Sequence, residues 1–224
     1  MSAKYSLLAA LQGGLLALYS WVVYRTSKVT FEGWENVEAA LESDRPIIFV
    51  NWHGQIHLFY CAYASRFKME DALLVIVGDW RQGVLDYFAK FAGAEAFPVD
   101  MGDNSMAAAR SLLALIKKLT PGKYSYFSPD GPDGPARVAK PGIGFIAERA
   151  EALIVPIGNH ARHAFHVPRW DRYTLPLPFT HIFTVIGSPI EATRGAPREV
   201  VLGQLTDALN QADERAQSLA SANR

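Results

Sequence analysis

Five short apolar runs recur between amphipathic stretches, and this spacing limits the chain to few folds. Ile47–Val50, Leu73–Val77, Ala96–Val99, Tyr124–Phe127 and Leu153–Ile157 are four or five residues long and largely apolar on both sides. A strand with only one face buried would alternate with polar residues, so runs of this kind predict strands covered on both faces. Helical spacing follows from Ile56 through Phe67, over Val84–Phe91, and from Ser105 to Leu119, where Leu112, Leu115, Ile116 and Leu119 share a side. A further helix runs through Ile146 and Ala150, and the tail from Pro197 reads as helix over 197–221. Strands alternating with helices predict an α/β fold with a central, mostly parallel sheet flanked by helices. Residues 160–190 break this rhythm with four prolines among aromatics, and Ile182–Ile186 is expected to be one last strand.

The N-terminus reads differently. Tyr5–Tyr24 is a run of twenty residues without a charge, bounded by Lys4 and by Arg25 and Lys28. Such a run is long enough to cross a hydrocarbon core. Gln12, Gly13 and Gly14 lower its apolarity at the centre, and Tyr19, Trp21 and Tyr24 cluster at one end, as interfacial aromatics do. Residues 1–28 are therefore expected to be a membrane-associating helix, spanning or lying in the interface, with a signal peptide or a buried core helix as rivals. Residues 29–224 form the α/β domain. Lys and Arg together equal Asp and Glu at 22 each, which gives no case for nucleic acid. The single cysteine, Cys61, excludes an intrachain disulfide and sits in an apolar helical setting as an inert core thiol.

In open α/β sheets the reactive crevice lies beyond the carboxyl ends of the strands. Three predicted strand ends carry polar residues: Asn51-Trp52-His53, Gly78-Asp79-Trp80-Arg81 and Ser128-Pro129-Asp130. His53 is placed to act as a general base, with Asp79 and Asp130 at neighbouring ends. The segment Phe127–Gly142 (FSPDGPDGPARVAKPG) is too rich in Pro and Gly for helix or inner strand, and its turn chemistry argues for a fixed geometry. Arg137 and Lys140 follow it and precede a helix start, a natural place for a phosphate or carboxylate.

Other motifs fail. Gly142-x-Gly144 does not directly follow a strand, and no acidic residue lies where a dinucleotide site needs one. No G-x-S-x-G, Walker lysine or H-E-x-x-H is present. A metal at His160, His163 and His166, or at Asp130 and Asp133, has little support from spacing.

Trp52-His53-Gly54, Gly78-Asp79, Ser128-Pro129-Asp130-Gly131-Pro132, Lys140-x-Gly142, Ile154-Val155-Pro156-Ile157 and Trp170-Asp171-Arg172-Tyr173 before Leu177-Pro178-Phe179 occur in that order. Together they resemble the lysophospholipid acyltransferase superfamily, above all its bacterial branch of short proteins with a D-G-P-x-G-P loop. The resemblance spans about residues 25–190. It implies a glycerol-3-phosphate acyltransferase-like fold and a membrane protein of phospholipid metabolism. The reaction would move an acyl group from acyl-CoA or acyl carrier protein, as co-substrate, to a lysophospholipid-like hydroxyl. No cofactor or metal is implied.

His53 would be the base and Asp130 would belong to the loop that handles the acceptor's phosphate. Gly131, Arg137, Lys140, Trp52 and Arg81 are expected to bind substrate. The expected location is the inner membrane, with the catalytic domain facing the cytoplasm. Two positions depart from the pattern. The residue five after the histidine, usually Asp or Glu, is Leu58, so Asp79 or Asp130 is expected to orient the imidazole. Asp133 stands where relatives carry Arg, which leaves phosphate binding to Arg137 or Lys140. The alternatives are a non-catalytic lipid-binding protein on the same fold and a metal-dependent hydrolase using His53, Asp79, Asp130 and Asp133.

Overall fold

A computed structural model describes residues 7–77, 82–99, 105–192 and 197–222. In chain order the elements are α1 (Leu7–Thr26), β1 (Lys28–Glu32), α2 (Trp34–Glu42) and β2 (Ile47–Val50). A single 3-10 turn, His53–Gln55, leads into α3 (Ile56–Ala64). Then come β3 (Ala72–Val77), α4 (Gln82–Ala92), β4 (Glu95–Val99), α5 (Ser105–Lys118), β5 (Tyr124–Phe127) and α6 (Gly142–Ala150). The chain ends in β6 (Leu153–Ala161), β7 (Ala164–His166), β8 (Thr174–Pro176), β9 (His181–Ile186), β10 (Ile190–Glu191) and α7 (Arg198–Ala222).

The main sheet has the order β1-β9-β6-β2-β5-β3-β4, with β10 antiparallel on β6. β6, β2, β5, β3 and β4 run parallel, as the apolar runs predict, while β9 turns back antiparallel to β6 and carries β1 parallel to itself. β1 and α2 have no counterpart among the sequence expectations; β1 is a half-buried edge strand with no continuous apolar run. The proline-rich stretch resolves into the end of β6, a short β7–β8 hairpin and β9.

Side chains alternate across the sheet. Ile48, Val50 and Ile154 face one core with Leu115, Ile143, Ile146, Leu205 and Leu209. Ile47, Phe49 and Val155 face the other, with Phe59, Tyr63 and Tyr126. Phe49 touches the rings of Phe59, Tyr63, Phe67 and Tyr124. Truncating a buried ring of this kind to Ala costs about 3–5 kcal/mol.

α1 packs along α4 and α3 rather than standing apart. Ala9, Gly13, Ala17, Ser20 and Val23 form its buried stripe at i, i+3 and i+4 spacing. Gly13 is required by proximity, since a Cβ there would lie 2.6 Å from Tyr87 Cβ and from the Val84 carbonyl. The opposite face leaves Leu7, Leu8, Leu11, Leu15, Leu18 and Trp21 more than half exposed. α1 is thus apolar on both faces, with only one of them covered by the chain.

Candidate active site

β2, β5 and β3 are adjacent and parallel, so the polar residues after them share one rim. Asp79 and Arg81, after β3, lie outside the described residues. Asn51-Trp52-His53 and Ser128-Pro129-Asp130 sit side by side.

His53 opens the 3-10 turn and is 8% exposed. Its Nδ1 lies 2.6 Å from Asp171 Oδ2, and the Asp171 side chain is 1% exposed. An ionised carboxylate only accepts, so Nδ1 carries the proton and Nε2 is left as the free base. Asp171 Oδ1 is in turn 2.8 Å from Arg169 Nε, as an ion pair rather than a well-aligned hydrogen bond. Arg169, Trp170, Asp171 and Tyr173 belong to the tight turn that joins β7 to β8. It is closed by Val167 N–H on Tyr173 O (2.9 Å) and Arg172 N–H on Arg169 O (3.0 Å).

Two glycines let this assembly close. A Cβ on Gly54 would fall 2.2 Å from the Asp171 carbonyl oxygen, and one on Gly131 would fall 2.5 Å from His53 Cδ2. The chain therefore brings the Asp171 turn against the backbone at Gly54 and the D-G-P-D-G-P loop against the His53 ring. Trp170 lies against the imidazole, with ring centroids 5.3 Å apart.

The expectation that Asp130 orients the imidazole is corrected. Asp130 is buried, and both its oxygens serve main-chain donors: Oδ1 accepts from His53 N–H at 2.9 Å and Oδ2 from Arg137 N–H at 3.0 Å. It holds the loop to the strand end and sets the height of His53, while Asp171 sets the ring. Trp52 is also corrected as a substrate contact. Extended backbone carries the β2 alternation two residues further, so its indole joins Ile48 and Val50 in the core and His53 takes the other face.

The expected anion ligands have partners. Arg137 pairs with Asp213 of α7, which also accepts from Gln55, and its guanidinium remains half exposed. Lys140 Nζ donates to Gly131 O at 3.0 Å. Gly131 abuts His53, so this bond ties Lys140 to the loop beside the imidazole and leaves two ammonium protons beyond it. Asp133 is exposed in the loop. Among the described residues no three His, Cys, Asp or Glu side chains converge as a metal site.

Behind His53 a cavity of about 580 Å³ runs between the sheet and α1, α3 and α4. It follows β3 and β5 along their whole lengths, from His53, Ser128 and Gly131 at the rim to Met69, Ala72 and Tyr124 at the far end. Gln12 and Leu16 of α1 complete its wall. The lining is dominantly apolar, and β3 contributes Ala72 through Val77 to it, while its pairing with β5 covers only Ala72–Leu74.

Asp171 is part of a sequence motif but carries no role that the sequence alone assigns. The signal available is a lone carboxylate between Trp170 and Tyr173. Its 118-residue separation from His53 conceals the pairing.

No protein-family model matches the chain. An uncharacterized protein of Rickettsia prowazekii (strain Madrid E) is 28% identical over 178 residues, 79% of this chain and 78% of that protein. Among solved structures, the 1-acyl-sn-glycerophosphate (LPA) acyltransferase PlsC from Thermotoga maritima superposes with a TM-score of 0.56 at 16% identity. The match covers 92% of this chain and 79% of that one. This chain has a PlsC-like α/β fold. The expected α/β architecture, a mostly parallel sheet flanked by helices with an apolar N-terminal helix, stands.

Proposed function

We propose that this protein is an O-acyltransferase that moves a fatty acyl group from acyl-CoA or acyl carrier protein to a lysophospholipid-like hydroxyl. The observation that carries this reading is a buried His53–Asp171 pair at the mouth of a long apolar cavity. His53 Nε2 removes the proton from the acceptor hydroxyl as its oxygen attacks the thioester carbonyl. Asp171 stabilises the imidazolium that forms. The tetrahedral intermediate then collapses, the C–S bond breaks, and the thiolate takes the proton back from the imidazolium, leaving ester and free thiol. No covalent acyl-enzyme is required.

The cavity would hold the acyl chain. Five residue steps along β3 span about 16 Å at roughly 3.3 Å each. An extended chain advances about 1.2 Å per bond, judged from about 3.5 Å per three-bond residue, so about 13 bonds fit. That points to medium-to-long acyl chains. Lys140, with Gly131 beside it, would meet an anionic headgroup at the rim.

α1 would rest in the membrane interface rather than cross it. Its buried stripe is seated along α4, which carries Asp86 and Lys90, and a spanning α1 would draw those charges into hydrocarbon. The exposed leucine face, with Phe91 and Phe179 also exposed, would enter the lipid. We place the protein on the inner membrane with its rim facing the cytoplasm, where acyl donors are supplied.

The test is turnover of labelled acyl-CoA and acyl carrier protein, over a series of chain lengths, with a panel of hydroxyl-bearing lysolipids. Product that disappears in His53→Ala supports the reading. Saturable lipid binding without product in the wild type would favour the non-catalytic alternative.

A further inference from the structure

One turn beyond His53, α3 carries a second buried histidine that this chemistry does not use. His57 is 3% exposed, and both of its ring nitrogens are engaged by other elements. Ser20 of α1 donates its single hydroxyl proton to Leu16 O at 2.8 Å, so at 2.7 Å from His57 Nε2 it must accept. Nε2 therefore carries the ring proton. Nδ1 is left as an acceptor, and the Tyr173 hydroxyl donates to it at 3.3 Å. Burial pulls the His57 pKa down to about 4, which agrees with a neutral ring of fixed tautomer.

Tyr173 stands two residues from Asp171 and next to both imidazoles, with centroids 6.3 Å from His53 and 6.2 Å from His57. The same segment is tied to α1 at two more points: Tyr19 Oη donates to Pro176 O at 2.7 Å, and Phe179 N–H donates to Thr26 Oγ1 at 3.1 Å. A buried imidazole costs desolvation that an apolar residue would avoid. Here that cost accompanies a bridge between two elements that each make part of the site.

We propose that His57 is a positioning residue: through Tyr173 it holds the Arg169–Tyr173 turn, and with it Asp171, against His53, while its bond to Ser20 makes that seating depend on α1. α1 is thus part of the catalytic assembly as well as a lipid contact. The inference rests on the acyl-transfer reading of the site.

The test measures kcat and donor KM for His57→Leu, His57→Gln and Ser20→Ala, each with Asp171 intact and with Asp171→Asn. His57→Leu should lower kcat about 10- to 100-fold, the scale of a small misplacement of a catalytic group, with any change in donor KM traced to His57 also lining the cavity. His57→Gln retains one donor and one acceptor and should recover part of the loss. With Asp171→Asn already present, His57→Leu should have no further effect. Equal losses in the two backgrounds would overturn the proposal, because additive effects mean that His57 does not act through Asp171. If the wild type turns over no acyl donor, the acyl-transfer reading fails, and amide hydrogen exchange decides the structural link. Exchange across residues 167–175 should quicken in Ser20→Ala and His57→Leu, and unchanged exchange there would overturn it.

Discussion

Asp171→Asn tests the site most directly, and the geometry dictates more than a lost charge. In the native pair, Oδ2 accepts from His53 Nδ1–H at 2.6 Å and Oδ1 faces Arg169 Nε at 2.8 Å. Asparagine has one oxygen and one amide nitrogen to divide between those partners. Arg169 can only donate, so a substituted amide that turned its nitrogen toward Arg169 would place two donors face to face in a buried site. The favoured orientation gives the oxygen to Arg169 and the amide nitrogen to His53. Nδ1 must then accept, the ring proton moves to Nε2, and the base is lost. A misplaced tautomer of this kind lowers kcat about 10⁴-fold, the magnitude known for serine-protease triads. That corresponds to about 5 kcal/mol in the barrier.

The same reasoning makes Arg169→Met a partial rescue. With the guanidinium gone, the asparagine side chain in the Asp171→Asn variant can turn its oxygen to Nδ1–H. The double variant should therefore exceed Asp171→Asn alone by about tenfold, within the coupling expected of contacting groups. The assay is kcat with labelled acyl carrier protein or acyl-CoA at saturating acceptor. Asp171→Asn retaining more than about a tenth of the wild-type rate, a barrier change below about 1.4 kcal/mol, would refute the dyad.

Gly54→Ala should lower kcat about 100-fold by lifting the Asp171 turn, since its Cβ would lie 2.2 Å from the Asp171 carbonyl, with a fold cost of about 1–3 kcal/mol in thermal unfolding. Lys140→Ala should raise acceptor KM, whereas Arg137→Ala should act mainly on stability by unpairing Asp213; the reverse ranking would move the headgroup to the α7 side. His57 should make the fold sensitive to acid. Its pKa is about 4 when folded against an ordinary 6.5, so between those values the unfolded chain binds the extra proton and stability falls as pH falls. The full loss is about 3 kcal/mol by pH 4, and denaturant melts of His57→Gln should show a shallower decline over that window. Histidines 160 and 181, both also lowered by burial, add in the same direction in either protein.

The central strands β2, β5 and β6 are legible in the sequence because they are buried on both faces, and burial on two faces writes a continuous apolar run. β3 and the edge strand β4 keep apolar runs although they are only partly buried. β1, with its charged ends and half-buried side chains, writes no such signal. His53 and the loop are legible as well, since a strand end followed by Pro and Gly has a local chemical reason. The carboxylate is not. Asp171 reaches His53 only because the β7–β8 hairpin folds back over the rim and Gly54 lets its backbone approach, and neither step has a sequence-local cause.

Leu58 shows why the carboxylate comes from so far away. The position five after His53 is 1% exposed and packs with Val23, Cys61, Ala161 and Ile182, beside Tyr19 and Tyr24. It is the surface on which the C-terminal half of α1 sits. A carboxylate there would be buried against an apolar helix at a cost of several kcal/mol without a paired cation. With leucine at 58, the helix face is free to receive α1, and the orienting charge is carried on a turn where Arg169 accompanies it. The two positions should be coupled: a chain with Leu58→Asp and Asp171→Asn should lose the seating of α1 before it regains a dyad. The measurement is protease accessibility of residues 7–26 alongside kcat. Restored turnover with α1 still protected would show that the two carboxylate positions are interchangeable and that α1 does not govern the choice.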